Sequence, residues 1–117
     1  MHELSLAVDV LRVAREVFGS RRPLARVRIA VGELSAVDPE LLKFAWDAVV
    51  TGTEDEGATL EVDWHPAQQT CPACGVIRER ADGSWLRLCP RCEAPLQVVG
   101  GDELDVTKVW FGRGGTA

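Results

Sequence analysis

Residues 25–39 read Ala25-Arg26-Val27-Arg28-Ile29-Ala30-Val31-Gly32-Glu33-Leu34-Ser35-Ala36-Val37-Asp38-Pro39. From Ala25 to Val31 the side chains alternate. Val27, Ile29 and Val31 share one side and Arg26 and Arg28 the other, the pattern of a strand buried on one face only. Gly32 to Val37 make a connection. Asp38-Pro39 then starts a helix: an aspartate accepts the free amides of the first turn, and a proline at the first helical position loses no hydrogen bond. The helix runs to about Val50, with Leu41, Leu42, Ala45, Trp46, Ala48 and Val49 as a broad apolar face. Glu40, Lys43 and Asp47 line its polar side and can pair at helical spacing.

Upstream, Leu4, Ala7, Val8, Leu11, Ala14 and Phe18 recur at helical spacing, with Asp9, Arg12, Arg15 and Glu16 on the other side. This predicts an amphipathic helix stopped by Gly19, and a loop over Ser20–Pro23. Downstream, Thr51–Gly57 is a polar loop. Thr59–His65 is a second strand with Leu60, Val62 and Trp64 inward. Asp102–Phe111 is a third, whose alternation slips phase between Val106 and Val109, so a bulge near Thr107-Lys108 is expected. The order helix, strand, helix, strand, insert, strand predicts an α+β fold: two helices on a three-stranded sheet, with a zinc-ribbon-like insert. The expected limits are residues 1–66 plus 100–111 for the helix and sheet unit, 67–99 for the insert and 112–117 for a flexible Gly-rich tail.

The chain has 117 residues, 46% of them hydrophobic, enough for one modest core and a small appendage. Eighteen acidic against thirteen basic residues give a net charge of −5, which argues against a nucleic-acid partner. No apolar run reaches the ~20 residues of a membrane span, and no signal peptide is evident. A cytoplasmic protein with reduced cysteines is expected.

The insert carries Cys71-Pro72-Ala73-Cys74-Gly75 and Cys89-Pro90-Arg91-Cys92, with fourteen residues between Cys74 and Cys89. Each CxxC turn aims two thiolates at one point. Two such turns make a tetrahedral sulfur set that suits Zn(II) and leaves no position for substrate, so the expected role of Cys71, Cys74, Cys89 and Cys92 is structural. Thiol–disulfide chemistry is the alternative use of such pairs. Trp85, Leu86 and Leu88 are the expected core of the insert. It is too short to fold readily without metal.

At the other end stand Met1-His2-Glu3. A free amine, the next backbone nitrogens and the His2 imidazole can close successive chelate rings around a tetragonal ion such as Ni(II) or Cu(II), with the Glu3 amide or carboxylate in the remaining position. Any chain can begin in this way, so the tripeptide gains meaning only beside the rest. Asp38 and Glu40 read as a helix cap and a first-turn charge that could approach these residues in the fold. His65 reads as a surface residue, with an extra or adjustable ligand of the cysteine site as the second reading. Arg26 and Arg28 read as a solvated strand face, with an interaction surface as the second reading. No nucleophile with an evident base and no phosphate-binding loop is present, so an enzyme is not expected.

These residues resemble the HypA/HybF family of hydrogenase maturation nickel metallochaperones. The resemblance is carried by Met1-His2-Glu3-Leu4-Ser5-Leu6-Ala7, Val31-Gly32-Glu33-Leu34-Ser35, Val37-Asp38-Pro39-Glu40, the Gly52-Thr53 loop, Glu56-Gly57-Ala58, the two CxxC pairs and the Glu103-Leu104-x-Val106 strand. It implies transient Ni(II) cargo at Met1, His2 and Glu3 and a structural Zn(II) at the four cysteines. It also implies work with a HypB-like maturation GTPase to supply the large subunit of [NiFe]-hydrogenase, and urease in some organisms. A monomer or weak dimer, with neither membrane nor nucleic acid as partner, is expected. Many relatives have Gly after the second CxxC, where this chain has Glu93. The rival reading is a zinc-ribbon adaptor that binds protein without transferring nickel.

Overall fold

The computed structural model describes residues 2–18, 23–81 and 84–112. The elements are α1 (His2–Phe18), β1 (Leu24–Gly32), a 3-10 turn (Glu33–Ser35), α2 (Pro39–Val50), β2 (Thr59–His65), β3 (Gln68–Cys71), β4 (Gly75–Val76), β5 (Gln97–Val99) and β6 (Leu104–Phe111). The larger sheet has the order β2-β1-β6, with β1 parallel to β2 and antiparallel to β6. The parallel step is possible because α2 crosses over between β1 and β2. Thus the fold is α+β as expected, with a second small sheet of order β4-β3-β5 in the insert.

The alternation of β1 holds. Val27, Ile29 and Val31 are buried with Leu42, Ala45, Trp46 and Val50 of α2 and with Ala7, Val10 and Ala14 of α1. Trp46 is fully buried, and its indole N–H donates to the Ala58 carbonyl at 2.9 Å, so the large side chain leaves no orphan donor. The bulge falls where the phase slips: Arg28 pairs with Lys108 and Ile29 with Val106, leaving Thr107 as the extra residue. It lets both Val106 and Val109 pack on the core.

Several expectations are corrected. On α1 the buried stripe runs through Ala7, Val10 and Ala14, while Leu4 and Val8 are exposed. An apolar face wider than the contact it makes leaves its flank in solvent. Trp64 is also exposed, near the end of β2 and beyond Leu60 and Val62, which pack on the core. Leu41 and Ala48 sit on the exposed side of α2. In the insert the core is Ile77 packed with Cys71 and Cys89, with Leu86 partly buried, whereas Trp85 and Leu88 are exposed. Gly112 is not tail: it is buried, and its N–H donates to the Pro23 carbonyl at 2.9 Å, extending the pairing at the end of β6. The Gly19 stop, most of the Ser20–Pro23 loop and residues 113–117 lie outside the described residues. No helix among those residues is long and apolar enough to cross a membrane.

The insert meets the larger sheet at one buried joint. A Cβ on Gly32 would stand 2.1 Å from the Gly101 carbonyl oxygen, so only glycine fits there. The Glu33 carboxylate accepts the Ala67 N–H at 3.0 Å and two nitrogens of Arg80 at 2.9 and 3.1 Å, and Arg80 also donates to the Ala67 carbonyl. Trp85 covers the Arg80 guanidinium, 4.4 Å from ring centroid to Cζ, which is why it does not fill the insert's own core.

Candidate metal centres

In the insert, β3 delivers Cys71 at its end. Residues 72–74 turn, and Gly75, at φ +86, carries the chain into β4 with Cys71 paired to Gly75. The second turn is built alike. Glu93 N–H donates to the Cys89 carbonyl at 2.9 Å, and Cys89 N–H to the Ala94 carbonyl at 2.8 Å. Glu93 stands at φ +62, a left-handed conformation in the position that Gly75 holds in the first turn. The two turns converge. The four sulfurs lie within 4.8 Å of one another, with Cys71 and Cys92 Sγ at 3.4 Å. Cys71 and Cys89 are buried and Cys92 faces solvent.

Backbone amides favour charge on one member of this cluster. The Cys74 N–H and then the Ala73 N–H pull the Cys71 thiol down to about 7. Its close neighbour Cys92, then burial, pushes Cys74 up to about 12. Four thiols this close cannot all ionise without a cation among them, and a bound divalent ion removes that obstacle. Geometry and donor chemistry therefore fit a tetrahedral metal ion.

At the N-terminus, α1 begins at His2 and α2 is capped by Asp38, and the two helix starts meet. The Asp38 carboxylate accepts the Glu40 and Leu41 amides at 2.9 and 3.3 Å, while the Asp38 N–H donates to Glu3 Oε2 at 3.3 Å. That amide holds the Glu3 carboxyl below its ordinary range. His2 Nδ1 lies 3.7 Å from the same oxygen, and its ring is 61% exposed against 14% for the Glu3 side chain. The first amides of α1 have no intrahelical carbonyl acceptor, and that of Glu3 turns to its own carboxylate. Met1 lies outside the described residues. Asp38, expected as a cap, thus also approaches the tripeptide, through its backbone. Glu40 serves the first turn of α2. His65 sits beside Asp63 at 3.2 Å and Glu103 at 3.8 Å at the end of β2, so its partners there are carboxylates and the reading of it as a ligand of the cysteine site gains no support.

A sequence profile described as hydrogenase/urease nickel incorporation, metallochaperone, hypA matches residues 1–111. The chain belongs to the HypA family. It is 37% identical over 112 residues to hydrogenase maturation factor HypA of Acidithiobacillus ferrooxidans, covering 93% of this chain and 97% of the relative. It is 38% identical over 113 residues to that of Alkalilimnicola ehrlichii, covering 91% and 95%. Among solved structures, the Ni metallochaperone HypA from Helicobacter pylori superposes with a TM-score of 0.57 at 19% identity, covering 93% of this chain and 96% of that one, which supports the fold. Two residues of this HypA-family fold escaped sequence reading. Asp55 is buried in a loop that looked merely polar. Glu33 lies in the connection between β1 and α2, and nothing in its local sequence marks it as the partner of Arg80, 47 residues away.

Proposed function

We propose that the chain is a cytoplasmic nickel carrier that binds Ni(II) at Met1, His2 and Glu3 and holds a structural Zn(II) at Cys71, Cys74, Cys89 and Cys92. The observation that carries this reading is the position of His2: exposed, at the start of a packed helix, beside a Glu3 tied to Asp38 and apart from the sulfur cluster. An exposed terminal site suits a cargo. A receiving protein can replace its donors one at a time, and a buried site would forbid that. Nitrogen and oxygen donors in a tetragonal set match nickel, and four thiolates match zinc, so each ion has its own donor set. Wrapping the ion requires the start of α1 to leave helical geometry; the amide N–H groups there have no carbonyl acceptor in the helix, so no N–H···O=C bond donated by them is lost. The proposed units are residues 1–66 with 100–111 and residues 67–99. The proposed partners are a HypB-like GTPase and the large subunit of [NiFe]-hydrogenase, and the chain acts as a carrier and not as a catalyst.

The test is nickel titration and metal content of untagged protein whose mass shows Met1 retained. One equivalent of zinc and one tight nickel site are expected. His2→Ala, or a peptide fused ahead of Met1, should abolish the nickel site while far-ultraviolet circular dichroism stays unchanged. Undiminished nickel affinity in both variants would reject the assignment and leave a metal-containing adaptor.

A further inference from the structure

The face of the larger sheet opposite the helices carries a cluster that metal binding does not use. On β1, Arg26 and Arg28 point away from the core strip of Val27, Ile29 and Val31. On β6, the bulge at Thr107 puts Lys108 opposite Arg28 and Trp110 opposite Arg26, so three cations gather on one indole. Their charged groups lie 3.8 Å (Arg26), 5.2 Å (Arg28) and 4.9 Å (Lys108) from the ring centroid. One carboxylate serves two of them: Glu61 accepts from Arg26 Nη1 at 2.7 Å and from Arg28 Nε at 2.9 Å. Among the described residues, Arg26 Nη2, both terminal nitrogens of Arg28 and Lys108 Nζ meet no protein acceptor. This local excess of positive charge stands in a chain of net charge −5.

We propose that this face docks an extended acidic segment of a partner protein, with carboxylates on alternate residues. The spacing supports it. Alternate side chains of an extended chain recur every ~6.8 Å, the same step that separates Arg26 from Arg28 along β1, and Lys108 stands one strand away. The indole and Glu61 hold the guanidinium groups in place, so little side-chain freedom is lost when their outer N–H groups take a carboxylate. Beyond Arg28 the same face turns acidic, with Asp63 and Asp105 flanking Ala30. That end limits how far the carboxylates of the bound segment can run along β1, and it disfavours a nucleic acid, whose phosphates cannot be left out where the face turns acidic.

The experiment uses the full-length protein and a labelled Glu-Thr repeat peptide of roughly ten residues, which spans the strands. Controls are a Lys-Thr peptide and an oligothymidine of similar length, all read by fluorescence anisotropy at low and physiological salt. Saturable binding of the Glu-Thr peptide is expected. It should weaken with salt and fall by at least about tenfold in Lys108→Glu, a change at a side chain with no ion-pair partner, and in Arg28→Glu. Unchanged circular dichroism and zinc content would show that both variants fold. The proposal is overturned if the Glu-Thr peptide binds no better than the Lys-Thr peptide or binds Lys108→Glu equally well. Tighter binding of the oligothymidine would also overturn it. So would salt-sensitive self-association in sedimentation that Lys108→Glu removes, with no peptide bound, because the face would then belong to a second copy.

Discussion

The Asp55 carboxylate joins three parts of the fold. It is 4% exposed, accepts the Leu24 N–H at 2.9 Å and is gripped by Arg15 through both Nε and Nη2. In this way the end of α1, the start of β1 and the loop after α2 share one buried anion. Asp55→Ala takes the acceptor from the buried Leu24 amide and removes a buried carboxylate from Arg15, which also reaches Glu54 at 3.4 Å, and we expect a loss of about 3 kcal/mol in urea unfolding. That is the lower end of the range for breaking a buried pair, since Arg15 keeps some solvent. A loss below about 1 kcal/mol would mean that the pair contributes little. Sequence reading missed Asp55 for a physical reason. An acidic residue in a Gly-bearing loop has the composition of a solvated turn, and only the fold brings it to a cation forty residues away. Asp38 was legible because capping is a local interaction, decided by its neighbours Pro39, Glu40 and Leu41.

At the scale of elements, α1 and α2 meet start to start through Glu3 and the Asp38 amide. A carboxyl held below its ordinary value of 4.5 contributes stability that is present above that value and is lost as pH falls through the lowered one. Glu3→Gln removes this dependence. The melting temperature of the wild type should therefore exceed that of the variant at pH 6 to 7, and the gap should close as pH falls below 4.5. A gap constant down to acid pH would show that the carboxylate charge plays no part in the joint. The two helices and the strands of the larger sheet were legible, because each follows from period two or period 3.6 in its own residues, and even the Thr107 bulge announced itself as a slipped phase, whereas the short strands β3, β4 and β5 of the insert carry no such period. The rotation of α1 was not: Val8 and Val10 are equally apolar, and only packing against α2 and the sheet selects Val10.

At the scale of the whole molecule, two cores are stabilised by different means. One is an apolar cluster between helices and sheet, and the other is Ile77 around the cysteines. The second is too small to hold without a metal, so Cys71→Ser should release zinc and loosen residues 67–99 while the helical signal survives. Hydrogen exchange resolved along the chain would read this; loss of protection in α1 and α2 together with the insert would mean a single cooperative unit. The spacing of the CxxC pairs made this centre legible, since two local turns carry the whole donor set. The Glu33–Arg80 joint was not legible, because an ion pair across two units leaves no periodic trace.

We assign nickel to the N-terminus and zinc to the four cysteines, two sites of one chain with different donors. X-ray absorption at the nickel edge, on protein already carrying zinc and one equivalent of Ni(II), tests it most directly. We expect a tetragonal set of nitrogen and oxygen neighbours at nickel with no sulfur, and sulfur alone at the zinc edge of the same sample. Sulfur in the nickel shell would place the cargo among the cysteines and contradict the assignment of His2.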